Sequence, residues 1–188
     1  MDEQLTRHYV EKLLVEGLGL DLSDPNLTET PNRVMKMYCR ELLKNVGREF
    51  TEYKQFPNDK GYDQIIMADK ISFVSMCSHH FLPFVGSAYM AYIPDKTLVG
   101  ISKLARAVEH YSARPQLQEN LCHEIIASFN KYIKPKGVMI LMKAQHNCMT
   151  IRGVKQPSSN MVTSVVSGVF KTNTMLEEKA LTMISLKN

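Results

Sequence analysis

The stretch CSHHFLPF at residues 77–84 sets Cys77 and His80 three positions apart, with His79 between them. In a turn, that spacing lets a thiolate and an imidazole converge on one cation. Taken alone it does not separate a metal site from a buried thiol beside a solvated imidazole, so a third ligand is required. The candidate is Cys148 in HNC, residues 146–148. If VMILMKAQHNCMTIRGV forms one long strand, alternation puts Val138, Ile140, Met142, Ala144, His146, Cys148 and Arg152 on one face. That face changes from apolar to chemical at its end. Thiolate and imidazole together suit Zn²⁺, and three protein ligands with one open position is the catalytic pattern, whereas a structural site closes with a fourth. Cys77, His80 and Cys148 are therefore read as ligands, leaving His79 and His146 for proton transfer. Two thiolates make the ion less electrophilic than three imidazoles would, so a histidine base beside it would help deprotonate water. Cys39 and Cys122 have no such setting and read as core or surface thiols.

Binding residues of a different kind lie between these clusters. GISKLAR, residues 100–106, puts Ser102, Lys103 and Arg106 at the start of a helix, with the two cations on one face. A helix start with two cations can cradle phosphate, and it can equally be a solvated basic face. No P-loop pattern is present, so a nucleotide here is not held as in P-loop enzymes. Gln118 and Glu119 open the next helix. An acidic residue there can simply complement the helix dipole. Alternatively, a carboxylate can accept two hydrogen bonds from a guanine edge, which adenine cannot offer.

The elements that must position these residues follow from periodicity. LTRHYVEKLLVEGLGL spaces Leu5, Val10, Leu13 and Leu14 as an amphipathic helix that stops at Gly17 and Gly19. A second helix opens at Thr30 as N-cap with Pro31 in the first helical position. From about residue 65 the pattern becomes that of strands: IIMADKISFVSM leads into the cysteine–histidine cluster and SAYMAYIP leads out, predicting a hairpin with the cluster at its connection. Helices follow over residues 102–112 and from Leu117 through Leu121, Ile125 and Phe129. The long strand, a further strand MVTSVVSGVF and a helical tail NTMLEEKALTMISL complete the chain. The predicted class is α+β: a four-stranded antiparallel sheet with two helices on one face. Residues 1–60 form an N-terminal helical extension and residues 61–188 the catalytic domain.

At 188 residues the chain can bury a real core, and its 44% hydrophobic and 22% charged composition is that of a globular protein. The net charge of +4 suits an anionic small molecule but is spread without the basic runs of nucleic-acid tails. The apolar runs are too short to span a bilayer and MDEQLTRHYV is unlike a signal peptide, so a cytoplasmic protein with no membrane or nucleic-acid partner is expected.

Five motifs, TETPNRV, CSHHFLPFVG, GISKLAR, RPQLQE and HNCMTIRGV, in this order, resemble GTP cyclohydrolase I across about residues 20–175. The resemblance implies the tunnelling fold (T-fold) and a zinc hydrolase acting on a cyclic amidine, which turns GTP and water into 7,8-dihydroneopterin triphosphate and formate for pterin and tetrahydrofolate biosynthesis. It implies that Cys77, His80 and Cys148 hold zinc. His146 would protonate the purine imidazole ring as activated water attacks C8, and His79 would assist after ring opening. Ser102 would sit at the ribose and phosphate end, and Gln118 and Glu119 would hold the guanine edge. Lys103, Arg106, Arg152 and Arg33 would neutralise the triphosphate. The family's toroidal homodecamer, with sites between subunits, is implied too. The family usually has Glu where this sequence has Ser78, which removes a charge beside the ligands but no ligand. Two alternatives remain: a related cyclohydrolase that stops at a ring-opened formamidopyrimidine, and a non-catalytic zinc-binding module.

Overall fold

A computed structural model of the chain describes residues 1–185. The N-terminal segment carries α1 (Glu3–Lys12) and α2 (Thr30–Lys36), each running on into a wider π-helical stretch, Leu13–Gly17 and Met37–Leu42. Asp2 caps α1 by accepting from the Leu5 amide at 2.9 Å. Thr30, expected as a cap, is already the first residue of α2, whose N-cap is Glu29. The Pro31 ring suits the first turn, where its missing N–H has no partner to lose. Arg40 clasps Glu3 through two charge-assisted hydrogen bonds of 2.9 and 2.6 Å, which ties α1 to the second helix.

The sheet begins with β2 (Ile66–Cys77) and β3 (Pro83–Ile93), an antiparallel pair interrupted by a bulge between Ala68 and Ile71. A short β1 (Gln55–Pro57) and β4 (Thr97–Val99) form a separate two-stranded ribbon. Then come α3 (Ser102–Ser112), the two-residue β5 (Pro115–Gln116), α4 (Gln118–Ile133), β6 (Gly137–His146), α5 (Asn147–Thr150), β7 (Met161–Gly168), α6 (Val169–Thr172) and α7 (Thr174–Ser185). The main sheet has the order β5-β2-β3-β6-β7. Its four long strands are antiparallel, and β5 adds a parallel pairing at Met76 and Cys77 that the sequence did not signal. Two residues are too few to show a period.

Alternation sorts the sheet into two faces. Ala88, Met90, Tyr92, Val138, Ile140, Met142 and Ala144 meet Leu104, Val108, Leu121, Ile125 and Phe129 of α3 and α4 in the principal core. Burial of such side chains contributes on the order of 1.5–3 kcal/mol each. Phe50 and Tyr53 belong to this same core, so the last part of the expected N-terminal extension is built into the sheet domain. The opposite face is covered at one end, where Ala91, Ile93 and Met139 pack with Phe170 and Ala180.

The long strand expected through Arg152 ends at His146, and Cys148 lies on the helical turn α5. Asn147 starts that turn and Thr150 bonds back to its side chain at 3.3 Å, a local alternative to the ladder that alternation alone does not register. The shared strand face therefore holds from Val138 to His146 but not for Cys148 and Arg152. Among the described residues no helix is long and apolar enough to cross a membrane.

Candidate metal and acid–base centre

The hairpin connection is a tight turn. The Cys77 amide donates to the Leu82 carbonyl at 2.9 Å, and the Phe81 amide donates back to the Cys77 carbonyl at 2.9 Å. Phe81 takes a left-handed φ of 50° to close it. The Ser78 amide reaches the Gln116 carbonyl at 3.1 Å, so β5 pins the turn from its other side. These bonds fix Cys77, buried at the end of β2, while His79 and His80 stay exposed.

Cys148 arrives from the far end of β6. Its sulfur, the Cys77 sulfur and a His80 ring nitrogen lie within 4.8 Å of one another, the only such group of metal-ligating side chains among the described residues. Two soft sulfurs and one imidazole at this separation fit a tetrahedral zinc with a fourth position open. Burial pushes the Cys148 thiol up, the neighbouring Cys77 adds to this, and Arg152 opposes it. Two thiols crowded together in this way favour a cation that takes both as thiolates.

His146 is held on two sides. Its ring stacks on Phe84, centroids 4.3 Å apart and planes 6° from parallel, because β3 and β6 place the two residues directly opposite. Its Nε2 lies 2.9 Å from the Gln118 carboxamide oxygen. Burial pushes the imidazole below its ordinary value, with Glu119 pulling the other way. A ring that is neutral near pH 7 can accept a proton.

Gln118 is 2% exposed. Its amide nitrogen donates to the Met142 carbonyl at 3.2 Å, the Met161 carbonyl at 3.2 Å and the Thr163 hydroxyl at 2.9 Å. Its side chain thus faces the protein, whereas Glu119, expected to share the guanine edge with it, is exposed. Sequence reading missed Phe84 and Thr163. Only the strand register, which places Phe84 opposite His146 and Thr163 opposite Met142, brings them in.

The expected phosphate residues form a second group. Ser102, Lys103 and Arg106 lie on the first turns of α3, whose N-cap Ile101 supplies no capping side chain. Lys103 lies 3.9 Å from Glu52, and Arg106 lines a cavity of about 280 Å³ with Lys44, Glu49 and Glu52. No hydrogen bond or ion pair among the described residues links this group to the metal-ligating trio. Arg152 follows α5 near Cys148, and Arg33 is exposed on α2.

A family model described as GTP cyclohydrolase I matches residues 6–185. The chain is 39% identical over 175 residues to GTP cyclohydrolase 1 of Clostridium perfringens, covering 93% of this chain and 94% of that one. It is 38% identical over 187 residues to GTP cyclohydrolase 1 of Clostridium kluyveri, covering 100% of both. In three dimensions, 56% of the chain is similar to 94% of the archaeosine synthase QueF-Like in the apo form, at 16% identity and a TM-score of 0.46. With the family model running from residue 6 to residue 185 and a relative aligned along the whole chain, the protein belongs to the GTP cyclohydrolase I family.

Proposed function

We propose that this protein hydrolyses GTP at C8 to formate and 7,8-dihydroneopterin triphosphate, with zinc held by Cys77, His80 and Cys148. The observation that carries the reading is the convergence of those three side chains within 4.8 Å, with the half-buried His146 two residues along the chain from Cys148. Zinc there would supply a Lewis acid and activate water at neutral pH. His146 hands a proton to the imidazole nitrogen released as the bond to C8 breaks, and the exposed His79 serves the transfers that follow. Glu119 accepts from N1–H and the 2-amino group of guanine, a pairing that adenine cannot reproduce. Ser102, Lys103, Arg106, Arg152 and Arg33 take the ribose and triphosphate end, where the guanidinium groups offer forked donors to phosphate.

The same reading includes the T-fold, the division into an N-terminal helical part and a catalytic domain, and assembly as a homodecamer. Several features support assembly. Leu5, Tyr9 and Leu13 form an exposed apolar stripe on the first helix, 50%, 61% and 57% accessible. The outer strand β7 leaves its edge open, with Val162 58% accessible, and an open edge pairs readily with another copy.

Zinc dependence provides the test. A chelator should abolish GTP turnover and added Zn²⁺ should restore it, while Cys148→Ser should lower both zinc content and turnover. Full turnover by protein shown to be free of metal would overturn the reading.

A further inference from the structure

We propose that Gln118 is a positioning residue that fixes the tautomer of His146, so that Nε2 carries a hydrogen and Nδ1 is the nitrogen that takes and returns protons. The inference rests on the proposed role of His146 as the acid–base residue and names the atom that performs it.

The Gln118 amide nitrogen sits among the Met142 and Met161 carbonyl oxygens, 3.2 Å from each, with the Thr163 hydroxyl at 2.9 Å. Carbonyl oxygens never donate, so rotating the carboxamide by half a turn would set its oxygen against two others with no proton between them. The orientation of Gln118 is thereby decided by its neighbours rather than by the ring. Its oxygen then faces His146 Nε2 at 2.9 Å, and that contact is a hydrogen bond only when Nε2 donates. Were Nδ1 to carry the only hydrogen, two lone pairs would oppose each other at a carboxamide that is 2% exposed, leaving a buried acceptor without a partner.

The device has a mechanical side as well. Gln118 is the first residue of α4, and its bonds reach both β6 and β7, so three elements hold the carboxamide still. Phe84 fixes the plane of the imidazole by stacking, and Gln118 fixes its rotation within that plane. Among the described residues the ring makes no other hydrogen bond, so Nδ1 is left uncommitted. In the protonated ring Nε2–H remains bound to Gln118, and the proton on Nδ1 is the one that can leave. Positioning of this kind acts on the rate of the step more than on the affinity for the base.

Two readouts test this. In zinc-loaded, ¹⁵N-histidine-labelled protein in mildly alkaline buffer, long-range ¹H–¹⁵N spectra should show a pyrrole-type Nε2 and a pyridine-type Nδ1 for the ring whose signals vanish in His146→Gln. A pyrrole-type Nδ1 would overturn the proposal, and this result needs no turnover. In the second readout, Gln118→Met should lower kcat by at least about tenfold, part of the ~10²–10⁴ that a placed acid or base contributes. The KM for GTP should stay within about twofold, since an interaction felt only in the transition state leaves ground-state binding alone. In a His146→Ala background the same substitution should cost nothing further, as expected of residues acting as one unit. A raised KM at unchanged kcat would assign Gln118 to guanine binding and overturn the positioning role. Wild-type protein inert towards GTP would defeat the proposed activity, while the spectrum still decides the tautomer.

Discussion

The four cysteines are chemically unequal. Cys122 is fully buried on α4, and burial pushes its thiol up to about 12, so almost none is thiolate near neutrality. In native protein Cys122 should resist iodoacetamide until denaturant is added, and peptide mass spectrometry showing rapid native alkylation would contradict its placement. Cys77 and Cys148 face each other, and once metal is stripped in air they should oxidise to a disulfide with oxygen as the electron acceptor. Two free thiols after prolonged exposure would speak against their convergence. For His146 the folded-state value is depressed by burial. The stability this contributes is present above the ordinary imidazole value of about 6.5 and is lost as pH falls from there through the lowered one. Unfolding free energies measured downward from neutrality should therefore decline less steeply across this window in His146→Gln than in wild type.

At the scale of elements, close strand approach is the most exacting requirement. A Cβ at Gly86 would overlap the Lys143 carbonyl and Ala144 across the β3–β6 pairing. Gly86→Ala should cost about 1–3 kcal/mol, read from denaturant midpoints, as other overpacked sites do. Gly168 combines a φ of 60° with similar crowding against Lys136, so alanine there is strained twice. The Arg40 guanidinium holds the Glu3 carboxyl below its usual range. That clasp is present above the ordinary carboxylate value and weakens as pH falls through the lowered one. Arg40→Ala should speed amide exchange over residues 3–12 while leaving β6 unchanged, and equal exchange in both proteins would remove the clasp as a tether. The sequence displays most of these elements, because α3 and α4 carry a helical period and β2, β3 and β6 are runs rich in apolar and β-branched residues. It hides β5, too short to show a period, and the end of β6, where Asn147 and Thr150 exchange ladder bonds for a turn. The grouping of Cys77, His80 and Cys148 is readable from ligand types, although the strand face expected to carry Cys148 ends at His146. The buried role of Gln118 is not, because it depends on acceptors from two strands that the chain brings together only on folding.

For the whole molecule, the stripe of Leu5, Tyr9 and Leu13 and the open edge of β7 both call for partners, and the proposed decamer would cover them. Replacing Leu5, Tyr9 and Leu13 together by serine should lower the mass seen by analytical ultracentrifugation, and an unchanged mass would show that the stripe is not an interface. The central claim is that the three-ligand centre and His146 open the purine ring and carry the reaction through to formate. It is tested most directly by following [8-¹³C]GTP by NMR with zinc-loaded protein. The label should appear as free formate, at a rate that falls by at least about 10²-fold in His146→Ala. Label retained in a ring-opened formamide, or remaining in intact GTP while zinc stays firmly bound, would contradict it.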